Sequence, residues 1–271
     1  MEAPHLLQFV APAIYVIAAA IIALALHAGR PALSRLGVVL AVVGTLVHAW
    51  TFVLEFAALG GPSADFFSAL SLVSLLVLIV MLVSMIRYPL VELLPLALPG
   101  AAFMVLHKAI LSPEPVPLET DSAMLSVHVT ASLLAYSLLS IAAVTAVVIA
   151  VLHNLLRSHR APRLIEILPP LVVMENLLFK MIGAGWIILT ISLGTGLLFI
   201  DNLLAQHLAH KTFLSIIAWL VFGLLLLGRW RYGWRGMRVV RLCLIGMAML
   251  LLAYFGSKAV LELLLDRRWQ A

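Results

Sequence analysis

A chain of 271 residues that is 64% hydrophobic and 11% charged, with a mean hydropathy of +1.17, lies far outside the globular norm, where charged residues alone make up about a quarter. It is a polytopic membrane protein, and several spans of about 20 residues each leave no room for a sizeable soluble domain. The net charge of +5 sits in short loops between apolar runs, a pattern of topology determinants and not of a nucleic-acid surface, while the single Cys243 excludes a disulfide framework, a C-x-x-C redox pair and a c-type haem attachment motif.

Apolar runs bounded by Arg, Pro or Gly clusters predict eight helices, near 7–27, 36–56, 66–86, 90–110, 124–152, 183–200, 212–228 and 239–261. No Lys or Arg precedes the first run, so it lacks the basic n-region of a signal peptide and reads as a retained span. The fourth run contains Glu92, Pro95 and Pro99, which predicts a kinked or partly interfacial helix. Ahead of the short, glycine-rich sixth run, "RLIEILPPLVVMENLLFKMIGAGW" mixes Glu166, Glu175 and Lys180 with leucines at near-helical spacing and reads as a short amphipathic surface helix. The expected fold is all-α, a transmembrane bundle of about eight spans forming a single integral membrane domain over residues 1–271.

Orientation follows from the basic loops. Twelve Lys and Arg residues, among them Arg30, Arg35, Arg87, Arg157, Arg229 and Arg235, fall on one side of the predicted membrane, and five, including Lys108 and Lys211, on the other. The positive-inside rule then places both termini outside. The external loop "LSPEPVPLETDS" is proline-rich and acidic, hence extended.

Within this frame His27, His153 and His159 belong to cytoplasmic ends beside arginines, whereas His48, His107, His128, His207 and His210 belong to the outer half. His48 and His128 stand inside spans. An ionisable residue there asks for a partner or a task, and imidazoles on facing helices are one way to hold haem iron; the plainer alternative is a histidine that hydrogen-bonds a neighbouring helix. Ser132 and Tyr136 follow His128 at four and eight residues, on the same small, polar helix face, where Tyr136 can donate to a ligand carboxylate or to a backbone carbonyl. Gly183, Gly185, Thr190, Gly194, Thr195 and Gly196 give the sixth run the composition of a close helix contact. Trp186 fits either an interfacial anchor or the wall of a porphyrin slot. His207, His210 and Lys211 lie together before the seventh run, where a haem propionate or a lipid phosphate would find cations.

The stretches "HVTASLLAYSLLSIAAVTAV", "LPPLVVMENLLFKMIGAGWIILTISLGTG", "HKTFLSIIAWLVFGLLLLGRWRYGWRGMR" and "YFGSK", in that order, resemble the cytochrome c assembly membrane-protein family, the CcsA-type haem handlers, and within it the smaller HemX/YpjD-like branch. The resemblance covers about residues 65 to 260. It implies haem presented at the outer membrane face with histidine axial ligands: His128 lies where that family has an external histidine, with His48 or His210 as its partner. The chain departs from the full family pattern at three places. "IDNLLAQHLAHKT" stands in place of a tryptophan-rich segment, Gly228 stands where full members have a transmembrane histidine, and no histidine follows the last span.

The expectation is a non-enzymatic haem-handling protein of a bacterial inner membrane, with haem as cofactor, the lipid bilayer and cytochrome c assembly components or another inner membrane protein as partners, and no nucleic acid. Its cofactor-binding candidates are His128, His48, His210, Lys211, Tyr136 and Trp186, with His128 and His48 as iron ligands. The rival expectation is a membrane scaffold that uses the amphipathic segment and the sixth helix as contact surfaces. Transport is the least favoured, because no internal repeat is visible and the only mid-span carboxylate candidate, Glu92, lies near a cytoplasmic end.

Overall fold

The computed structural model describes residues 3–59, 63, 66–88, 90–111, 123–158, 168–199 and 206–253. They form an all-α fold of helices α1 (Ala3–Ala28), α2 (Pro31–Leu59), α3 (Phe66–Ser84), α4 (Leu94–Leu111), α5 (Ala123–Ser158), α6 (Leu171–Phe199), α7 (Gln206–Tyr232) and α8 (Met237–Leu251). Seven helices are long and apolar enough to cross a membrane. The protein is a multi-pass membrane protein, in which helices satisfy every backbone polar group internally. α8 is described over 15 residues; residues 254–261 of the eighth predicted run lie outside the described residues.

Contacts gather the helices into two compact units, α1–α4 and α5–α8. In the first unit, α1 and α2 form a hairpin. Gly29 adopts φ +62°, and the Arg30 N–H donates to the Ala25 carbonyl at 2.9 Å, which terminates α1 as a left-handed glycine cap does. Pro31 then opens α2, where its missing N–H costs nothing. The buried face of α2 is Gly37, Ala41, Gly44, Thr45 and His48, a helical stripe of small residues ending in a histidine. It brings the backbones close: a methyl group at Gly44 would lie 2.9 Å from Tyr15 of α1. The fourth predicted run begins as a short 3-10 turn, Val91–Leu93, before α4. Pro95 is the second residue of α4 and so is tolerated there; Pro99 lies inside the helix.

In the second unit α5 and α6 are the principal pair, with Gly185 tucked against Leu139. The segment that reads as a separate amphipathic helix differs from expectation. From Leu171 onward it is the first half of α6, continuous with the glycine-rich span; residues 163–167 lie outside the described residues. The physical reason is Glu175. Its carboxylate is buried at 6% exposure and accepts the Gly236 N–H at the start of α8 at 2.9 Å, so the charge that suggested a surface helix instead joins two helices. α8 also packs on α7 through Gly246 and Phe222.

Candidate functional site

His128 lies in the second turn of α5 and is half-buried. Its Nδ1 is 2.8 Å from the Ser192 carbonyl oxygen of α6. A carbonyl only accepts, so Nδ1 carries the proton and the lone pair of a neutral ring resides on Nε2. The imidazole seat is built on both sides. Ser132, one turn along α5, donates from Oγ to the His128 carbonyl at 2.7 Å and lies 2.7 Å from Ser192 Oγ, while Thr195 donates to the same Ser192 carbonyl at 2.9 Å. With its own hydrogen already donated, Ser132 Oγ receives that of Ser192. Gly196 closes the seat: a Cβ there would stand 2.9 Å from His128 Cε1 and 3.1 Å from Nδ1, so glycine lets the ring sit this close to α6.

This arrangement is one that a metal-ligating histidine would use. Metal-ligating histidines donate the distal N–H to a carbonyl or carboxylate, which fixes tautomer and orientation and raises the basicity of the other nitrogen. Here the carbonyl is that of Ser192. It is equally the bond that an interhelical packing histidine would make.

His48 is in a different setting. It is 1% exposed in the first unit, and both ring nitrogens are engaged, Nδ1 with Tyr15 Oη at 3.1 Å and Nε2 with Ser71 Oγ at 3.0 Å. Those bonds tie α1, α2 and α3 together and leave neither nitrogen open as arranged. Near it, Lys108 of α4 pairs with Glu55 of α2 and stands 3.9 Å above the Phe52 ring, which itself packs on the His48 ring.

The other sequence candidates sort as follows. Tyr136 is buried, and its hydroxyl donates to the Leu250 carbonyl of α8 at 2.8 Å, the backbone alternative of the two its position allows. Trp186 donates from Nε1 to the Trp219 carbonyl of α7 at 3.0 Å and stacks on the Trp219 ring at 5.3 Å, over Gly223; Trp219 in turn donates to Thr190. Lys211 is half-buried near the start of α7, and the side chain of His210 lies outside the described residues. At Gly228, a Cβ would stand 2.3 Å from the Trp234 ring, so the indole fills the place that a side chain at 228 would need. Sequence reasoning missed Ser192, Tyr15, Ser71 and Trp234. The periodicity of α2 could have flagged His48 as a core residue, since it continues the Gly37–Ala41–Gly44 stripe, but no signal marks partners on other helices.

A family model described as Cytochrome C assembly protein matches residues 33–265. The chain belongs to this family. Among cytochrome c assembly relatives, the inner membrane protein YpjD of Escherichia coli (strain K12) is 33% identical over 236 residues, covering 85% of this chain and 88% of that protein. The YpjD of Escherichia coli O157:H7 gives the same figures. An "Uncharacterized 28.8 kDa protein in nifR3-like 5'region" of Azospirillum brasilense is 34% identical over 178 residues, 64% of each chain. No solved structure matches. The family's association is with haem, and His128 fits that group as a single ligand: Nε2 has no hydrogen-bond partner among the described residues, and a lone axial imidazole requires no cluster of ligating side chains. Among the described residues no three His, Cys, Asp or Glu side chains converge on a metal position.

Proposed function

We propose that this cytochrome c assembly family protein is a non-enzymatic haem-handling protein of a bacterial inner membrane, which holds haem near the outer face through Nε2 of His128. The observation that carries the reading is the Ser192 carbonyl bond to Nδ1, which orients the ring and leaves the lone pair on Nε2. His128 would hold the haem iron through its imidazole, and the bound group would supply the iron's ligand and redox chemistry. The chain's own part is to seat and orient His128, through Ser132, Ser192, Thr195 and Gly196. Lys211 and His210, by sequence at the same end of the second unit, are the cationic candidates for the propionates. Both termini face outward in this reading, on the distribution of basic loops.

Haem titrated into the detergent-purified protein should produce a Soret band that His128→Ala abolishes or strongly weakens. His153→Ala should not, because His153 is exposed at the far end of α5, about 37 Å along a helix rising 1.5 Å per residue. Exogenous imidazole should restore the His128→Ala spectrum by refilling the vacated ring position. A folded His128→Ala protein with a wild-type spectrum would defeat the assignment.

A scaffold role has one observation in its favour. α6 leaves Ile187, Thr190, Ile191, Gly194 and Leu198 exposed along one side, with open space over Gly194. Absence of a Soret band after haem addition, together with retention of a membrane partner that Gly194→Leu releases, would favour it.

A further inference from the structure

The α7–α8 turn concentrates charge without neutralising it. Arg229, Arg231, Arg235, Arg238 and Arg241 fall within thirteen residues, and no Asp or Glu occurs between Asp201 and Glu262. Among the described residues, the carboxylate that reaches the turn is Glu175, which is buried and bonded to the Gly236 N–H. Arg229 is structural: it donates to the Trp234 carbonyl and to Asn176 Oδ1 and stands 4.8 Å over the Phe179 ring. The remaining four arginines are exposed, and none forms an ion pair among the described residues. Beside them Trp230 and Tyr232 are 84% and 71% exposed, at the end of a span that is apolar from Lys211 to Tyr232.

The turn is also preformed. Gly233 and Gly236 hold φ +63° and +67°, the Trp234 N–H donates to the Gly228 carbonyl, and the Trp234 indole is seated on Gly228 with Arg238 above its ring. Little order remains to be imposed when a ligand arrives.

We propose that this turn binds the headgroup of an anionic phospholipid, its phosphodiester paired with Arg231, Arg235 and Arg238 and its glycerol and upper acyl region against Trp230 and Tyr232. Guanidinium matches a phosphate in bidentate geometry, and amphipathic rings favour headgroup depth. The two features coincide at the end of a membrane helix. An exposed arginine cluster leaves a free phosphate ion hydrated, whereas a lipid adds apolar contact to the charge pairing. Exposed aromatics next to a hydrocarbon-facing helix likewise favour lipid over nucleic acid. The inference does not depend on haem binding.

The test uses the full chain in uncharged detergent, with thermal melting and native mass spectrometry on addition of dioleoyl phosphatidylglycerol, dioleoyl phosphatidylcholine, inorganic phosphate or a short single-stranded RNA. Phosphatidylglycerol should raise the melting midpoint and remain bound; the other three should do neither. Retained lipid should fall about fivefold per arginine removed in R231Q, R235Q and R238Q. The pair R30Q/R35Q, at the α1–α2 turn, should keep the wild-type response. On the wild-type protein the effect should weaken steadily as salt rises. Equal response to phosphatidylcholine, salt-independent binding, RNA or phosphate binding in place of lipid, or full retention in the triple glutamine variant would each overturn the proposal.

Discussion

At position 196 one methyl group is enough to disturb the candidate ligand. Gly196→Ala would place a Cβ 2.9 Å from His128 Cε1, so the imidazole must leave the Ser192 carbonyl or tilt. Haem affinity should then fall roughly 10- to 100-fold, the usual cost of losing an orienting contact behind a ligand, with Ser132→Ala less severe. Absorbance titration measures it, and an unchanged affinity would show that the seat does not govern the ligand. His48→Ala should behave in the opposite way. It removes a buried partner from the Tyr15 hydroxyl and from Ser71 Oγ, at about 1 to 3 kcal/mol for each group, so stability in a denaturing-detergent titration should drop while haem binding at His128 persists. Both histidines are visible in the sequence as polar residues inside spans. Which of them retains an open nitrogen is not, because the partners of His48 lie 33 and 23 residues away and that of His128 lies 64 away.

Among the helices, the limits of apolar runs are the most legible feature. Each predicted run overlaps a described helix, and the misreading falls on α6, where Glu175 and Lys180 made its first half look like a surface segment. A carboxylate on a helix is ambiguous from sequence alone: solvent and a facing helix N-terminus both satisfy it. The α7–α8 turn offers a test of the same kind. Gly228→His would introduce the residue that full family members carry, yet the Trp234 indole already fills that place. The variant should add no haem equivalent and should lose about 1 to 3 kcal/mol of stability through overpacking, read as a lower unfolding midpoint. A second, spectroscopically distinct haem in Gly228→His would refute that account of the turn.

At the scale of the whole molecule, seven helices among the described residues have the length and apolarity of spans, and the eighth run extends beyond those residues. The parity of the crossings decides where the C-terminus lies. If α8 and the residues after it cross the membrane, the count is eight and both termini share the outer side, as the basic loops imply. An alkaline phosphatase fusion after residue 271 should be active and a fluorescent-protein fusion there dark; the reverse would mean an odd number of crossings.

Composition and hydropathy determine by themselves that this chain is an all-α membrane protein, because burial of apolar side chains and satisfaction of backbone polar groups in lipid admit few alternatives at this length. Family membership is equally a property of the sequence. The fate of each polar side chain inside the membrane was decided only by tertiary structure. A hydrogen bond from His128 to Ser192, a closed network around His48, and an indole seated on Gly228 depend on which helix faces lie within about 3 Å of one another. Helical periodicity defines a face but not what it meets.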